Sequence, residues 1–175
     1  MEPVVQDHLH ACEAFGVVVS EVQGPWDAPT PCSEWDARGV LEHVIGFHDV
    51  LLLRPLEAKP TRPKDDPIAR WRLTEDALSS VLARPGALTA EREALLGYLT
   101  TEVLVHTWDL AKATGVGLTL DSRLCQIGVE RATTNRKAFS SDMFDAPIPV
   151  PEDAALQDQL VALFGRDPNW RPNLR

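Results

Sequence analysis

The chain has 175 residues, 44% of them hydrophobic and 25% charged, which fits an ordinary globular protein folded as a single domain over 1–175. Its formal net charge is -9 and its sequence pI near 5.0, and the sequence shows none of the clustered basic charge that nucleic-acid binding requires, so no nucleic-acid partner is expected. Cys12, Cys32 and Cys125 give no disulfide framework, and neither a secretory leader nor an apolar run near the roughly 20 residues of a membrane span is visible, so a cytoplasmic location is expected.

In chain order, Val5, Leu9, Cys12, Phe15, Val19 and Val22 recur in steps of three and four and predict an amphipathic helix over 4–22. His8 and His10, near its start, are expected to meet solvent. Residues 24–32 hold three prolines and a glycine and form a turn-rich connection. Ser33 is the expected N-cap of the next helix, with Asp36 as its reciprocal acid and Glu34 in the first turn. That helix runs from about 34 to 53, stopping near Pro55, with an apolar face built on Val40, Leu41, Val44, Ile45 and Leu52. His43 lies beside this face. His48 is five residues on, about 140° around the helix, so one cation cannot take both, and His48 reads as packed and hydrogen-bonded.

Residues 59–67 are polar and proline-rich, an exposed loop. Trp71, Ala77, Leu78, Val81 and Leu82 predict a third helix over 68–84, closed by Pro85 and Gly86. A fourth spans about 92–114 and ends at Gly115. A fifth covers about 121–137 through Leu124, Ile127, Gly128 and Ala132. Alternating prolines make 146–151 extended, and a short amphipathic helix over 152–164 is stopped by Gly165. The tail from 166 to 175 has no clear period. No strand pattern appears, so the fold class is all-α: four main helices with an additional short C-terminal helix.

The fourth helix carries the most informative stretch. Glu102 and His106 are four residues apart, which stacks them on one face with roughly 6 Å between their Cβ atoms. One divalent cation can bridge such a pair. Val103, Leu104, Val105 and Leu110 predict burial there, and a buried carboxylate requires a partner. His43 is the candidate third ligand, since three ligands on two helices is an ordinary way to build a metal site in a bundle. Two other readings stay open: a Glu/His pair on a helix edge, and a metal-free network joining Glu102 to His43 or His106. Asp109, three residues after His106, either orients that imidazole or is a solvated acid. Cys32 stands before a helix start, where a thiolate is favoured, but reads more readily as a small buried cysteine beside Trp35. The five tryptophans are expected in the core or in a pocket wall.

Two segments carry a resemblance. Pro29-Thr30-Pro31-Cys32-Ser33-Glu34-Trp35-Asp36, leading into Leu41-Glu42-His43-Val44-Ile45-Gly46, is one, and the stretch from Thr101 to Gly115 is the other. Together they resemble the metal-binding domain of mycothiol-dependent maleylpyruvate isomerase and its actinobacterial relatives, within the DinB/YfiT-like superfamily. The stretch from Pro149 to Pro168 also resembles the single-domain members. The resemblance implies a DinB/YfiT-like four-helix bundle that binds one divalent metal, zinc or else nickel, through His43, Glu102 and His106. It implies a thiol cofactor such as mycothiol and a small electrophilic substrate as partners, and allows a homodimer. The isomerase has a second, C-terminal domain that supplies part of its active site, including a basic residue, and 175 residues leave no room for it. The implied activity is therefore a metal-dependent thiol transferase or isomerase acting on a small electrophile. The alternative is a non-catalytic metal-binding domain with a structural, stress-related or partner-binding role. Arg38 and Arg136 are candidates to hold substrate carboxylates.

Overall fold

The computed structural model describes residues 2–135 and 145–172. Within them the chain forms α1 (Pro3–Glu21), α2 (Ala37–His48), α3 (Pro67–Leu82), α4 (Ala90–Thr114), α5 (Ser122–Thr134) and α6 (Leu156–Leu163). Among the described residues no strand forms, and the only bridge is an isolated one between Pro29 and Asp36. The fold is all-α, as the periodicities predict. Among the described residues no helix is long and apolar enough to cross a membrane.

α4 is the axis of the molecule. It packs against α1 and α2 on one side and against α5 and α6 on the other, while α3 closes the bundle against α1 and α2. Every residue from Leu99 to Ala111 is buried. A helix covered all round needs no polar face, so Thr100, Thr101 and Thr107 lie inside it and return their hydroxyl protons to carbonyls one turn back. Its ends follow local chemistry. Thr89 caps the first turn by accepting from Arg92 N, and Gly115 closes the last with φ 72°, in the left-handed region that suits glycine.

The start of α2 differs from expectation. Asp36, not Ser33, is the N-cap, and its carboxylate accepts from Gly39 N at 2.7 Å. Thr30 decides this. Its hydroxyl lies 3.0 Å from Cys32 O and 2.7 Å from Trp35 O and accepts from Cys32 N at 3.1 Å, holding 30–35 in a tight turn. The turn folds back so that Ala37 N and Arg38 N bond to Ala28 O and Trp26 O, satisfying two amides of the first helical turn. Helix α2 then continues through one π-helical turn, Asp49–Leu53. Buried Asp49 anchors that turn, receiving Arg62 Nη1 at 3.0 Å and Nη2 at 2.8 Å, while Arg62 Nε donates to Thr74 on α3.

α6 begins at Leu156 rather than near 152, because Ala154 N bonds to Pro151 O in a separate turn. It ends in a Schellman motif: Gly165 N bonds to Ala162 O at 3.1 Å and Arg166 N to Val161 O at 3.0 Å. Gly165 has φ 77°, and a Cβ there would meet the Asp145 carbonyl oxygen at 2.9 Å. Only glycine fits, and the reversal it makes drives the next side chain, Arg166, into the interior. The expected end of α5 near 137 lies outside the described residues.

Candidate metal centre

α2 and α4 place His43, Glu102 and His106 together. One ligand atom from each lies within 4.8 Å of the others, and Glu102 Oε2 is 3.7 Å from His106 Nε2. The His43 and His106 rings sit 4.9 Å apart at 77°, so their nitrogens converge rather than stack. Glu102 is 5% exposed, and its Oε1 has no hydrogen-bond partner. A buried carboxylate oxygen without a partner costs free energy unless something at the site satisfies it. Burial pushes the Glu102 carboxyl up to about 7, against the opposing pull of His106, Arg166 and a hydrogen bond from Tyr98. Burial also pushes the His43 imidazole down to about 4, helped by His106 and Arg166, so it stays neutral with a lone pair to give.

The imidazole of His106 is oriented from behind. Its Nδ1 lies 3.1 Å from Asp109 Oδ2, which fixes the proton on Nδ1 and leaves the Nε2 lone pair facing Glu102. Asp109 is fully buried and is neutralised by Arg166, whose Nη2 and Nε reach its carboxylate at 3.0 and 3.2 Å. Arg166 Nη1 donates to Phe164 O at 2.8 Å, so the guanidinium is held at both ends. Two imidazoles, one carboxylate and a carboxylate–histidine pair behind them are a donor set of the kind that metal ions take.

The three donors open onto a cavity of about 430 Å³, whose lining includes Trp35, Phe47, Leu51, Tyr98, Cys32 and Arg166. Trp35 stacks on His43 at 4.1 Å and Phe47 meets the same ring edge-on at 5.4 Å, fixing its rotamer. Cys32 is a buried wall residue. Burial, with Asp109 opposing its ionisation, raises its pKa, so it is no ready thiolate. Arg38 is exposed and does not line the cavity, and Arg136 lies outside the described residues. The cation that does line it is Arg166, in a tail that shows no period and so offered no local signal. Trp71 and Trp108 are core residues, and Trp26, Trp35 and Trp170 pack partly buried against the core.

His48 is packed and hydrogen-bonded as expected, its Nδ1 2.7 Å from Val44 O. His10 is exposed, but His8 is fully buried, contrary to the solvent-facing position expected for it. The reason is that α1 is covered by both α3 and α4, which widens its buried face beyond the purely apolar stripe.

Residues 8–111 match the family model described as the mycothiol maleylpyruvate isomerase N-terminal domain. Two uncharacterized proteins of Mycobacterium tuberculosis, Rv0738 of strain H37Rv and MT0763 of strain CDC 1551, are each 32% identical over 95% of this chain and 98% of their own. No solved structure matches. The chain belongs to the mycothiol maleylpyruvate isomerase N-terminal domain family, within the DinB/YfiT-like superfamily.

Proposed function

We propose that this protein is a metal-dependent enzyme that uses a low-molecular-weight thiol, of the mycothiol type, to transfer to or isomerise a small electrophile. The observation that carries this reading is the opening of the His43, Glu102 and His106 donors onto a cavity large enough for a small ligand. Three protein ligands and one open position are the arrangement of catalytic rather than structural zinc. A divalent ion held there supplies a Lewis-acid centre that lowers the pKa of a bound thiol, making thiolate available at neutral pH. The chain's own residues do the rest. Asp109 holds the His106 tautomer, Trp35 and Phe47 fix the His43 ring, and Arg166 holds Asp109 in place behind them. Cys32 is not the nucleophile in this scheme, because its thiol stays protonated.

The competing reading is a metal staple without catalysis. Chelation separates the two, because a structural site contributes folding free energy directly. The experiment is elemental analysis of the wild type, His43→Ala and Glu102→Gln, followed by mycothiol titration before and after chelation. Loss of one metal equivalent per chain in both variants relative to wild type, with an intact helical signal and abolished mycothiol binding after chelation, is the expected result. Unchanged metal content in both variants would overturn the site, and unfolding on chelation would favour the staple.

A further inference from the structure

A second group of donors lies outside the cavity lining. His8 and Cys12 are one turn apart on α1, and His48 closes α2. All three are 0% exposed. The two Nε2 atoms are 3.1 Å apart, and Cys12 Sγ lies 3.7 Å from His8 Nε2 and 3.9 Å from His48 Nε2.

The outer nitrogens settle what these inner ones are. His48 Nδ1 faces the Val44 carbonyl at 2.7 Å, and a carbonyl only accepts, so the proton sits on Nδ1. Thr100 gives its hydroxyl proton to Leu96 O at 2.7 Å, so it accepts from His8 Nδ1 at 3.2 Å. Both Nε2 atoms are then bare lone pairs pointing at each other, in a site no solvent reaches. One thiol proton can satisfy only one of them.

We propose that His8, Cys12 and His48 form a second metal site that takes one thiophilic d10 ion, Zn2+ or Cu+, on two imidazole nitrogens and one thiolate sulfur. The spacing supports this. A tetrahedral centre with zinc-to-nitrogen bonds near 2.0–2.1 Å and zinc-to-sulfur near 2.3 Å has nitrogen–nitrogen edges of about 3.3 Å and nitrogen–sulfur edges of about 3.6 Å. Thiolate and imidazole are the donors that soft ions prefer. No described carboxylate ligates this group, so a monovalent ion with one thiolate leaves it neutral, whereas a divalent ion leaves one positive charge. Occupancy releases the Cys12 thiol proton to solvent as the ion enters, converts two opposed lone pairs into two bonds and ties α1 to α2. Because all three ligands are sealed, the ion enters as α1 packs and leaves only when the bundle opens.

The test uses the full chain, refolded in one arm with Co2+ as the spectroscopic stand-in for Zn2+, and in an anaerobic arm with Cu+ against a chromophoric chelator. The expected result is one Cys12-dependent equivalent in at least one arm, beyond any held by the cavity donors. It should be lost in Cys12→Ala and His48→Gln and kept in His43→Ala, and a thiolate-to-cobalt charge-transfer band, where Co2+ binds, should survive Cys32→Ser. Binding only in the Co2+ arm identifies the divalent ion, and binding only in the Cu+ arm the monovalent one. No metal dependent on Cys12 in either arm overturns the proposal. Thr100 then turns its proton to His8, and His8 Nε2 donates to His48 with no ion. The readout is independent of the cavity, since loss of metal in His43→Ala alone bears on that site and not on this one.

Discussion

Arg166→Met tests how α4 keeps a charged residue at its centre. Asp109 is 0% exposed and Arg166 2%, and at least two guanidinium nitrogens bond to the carboxylate. Removing one partner of such a pair leaves an uncompensated buried charge, at a cost of about 3–5 kcal/mol. Here the lower end applies, because His106 Nδ1 still donates to Asp109 at 3.1 Å. A loss of about 3 kcal/mol lowers the folding constant by more than a hundredfold. Urea unfolding followed by tryptophan fluorescence reads it directly, as a lower midpoint with an unchanged slope. Arg166→Met combined with Asp109→Leu removes both charges and keeps apolar volume, so it recovers all but about 1 kcal/mol, the remainder being the hydrogen bond that His106 loses. A single-variant loss below about 1 kcal/mol, or a double variant no more stable than the single, would refute the buried pair as the reason Asp109 is tolerated.

Gly165→Ala should destabilise by more than about 1 kcal/mol and weaken metal binding at the cavity, because the left-handed turn and the close Asp145 carbonyl both resist a Cβ. Unchanged thermal unfolding would show that the turn adapts. Asp36→Ala should cost about 1 kcal/mol and Ser33→Ala almost nothing, measured by denaturation, since only Asp36 caps α2; the reverse order would restore Ser33 as the cap. In metal-free protein the Glu102 carboxyl stands at about 7 against 4.5. The stability this confers is present below pH 4.5 and lost as pH rises through about 7, a change of roughly 3 kcal/mol. His8 and His43, lowered to about 4, act in the opposite sense as pH falls below 6.5. The difference between wild type and Glu102→Gln therefore isolates the carboxyl, and two pH–stability profiles of identical shape would count against its raised pKa.

The helices were legible because burial on one side leaves apolar residues every three or four positions, as in α1 to α3 and α5, while α4, buried all round, is marked by its apolar stretch and its Gly115 stop. The pairing of Glu102 with His106 was legible for the same reason, being fixed by the pitch of one helix. What local pattern cannot supply is the partner across the fold. Ser33 and Asp36 are both good caps three residues apart, and the choice between them is made by Thr30, whose hydroxyl closes the preceding turn. His8 was misplaced because a histidine in an otherwise apolar stripe looks like its edge. Its four-residue spacing to Cys12 was the available sign, but His48 comes from a different helix. Arg166 gave no sign at all, since its place is set by an acid on α4 and by a glycine-led reversal that no periodicity records.

That long-range pairing also imposes a timetable on the growing chain. Asp109 and Arg166 are separated by 57 positions, which at about 5–20 residues per second is a delay of roughly 3–11 s during synthesis. Through that interval α1 to α3 are complete, α4 is finished within its first few residues and all three cavity donors exist, yet the acid beneath His106 lacks its counter-charge. The bundle can gather early, but α4 settles at its final depth only when the last stretch of the chain arrives. A nascent chain cut short before Arg166 would thus carry every donor residue above an acid that has no counter-charge.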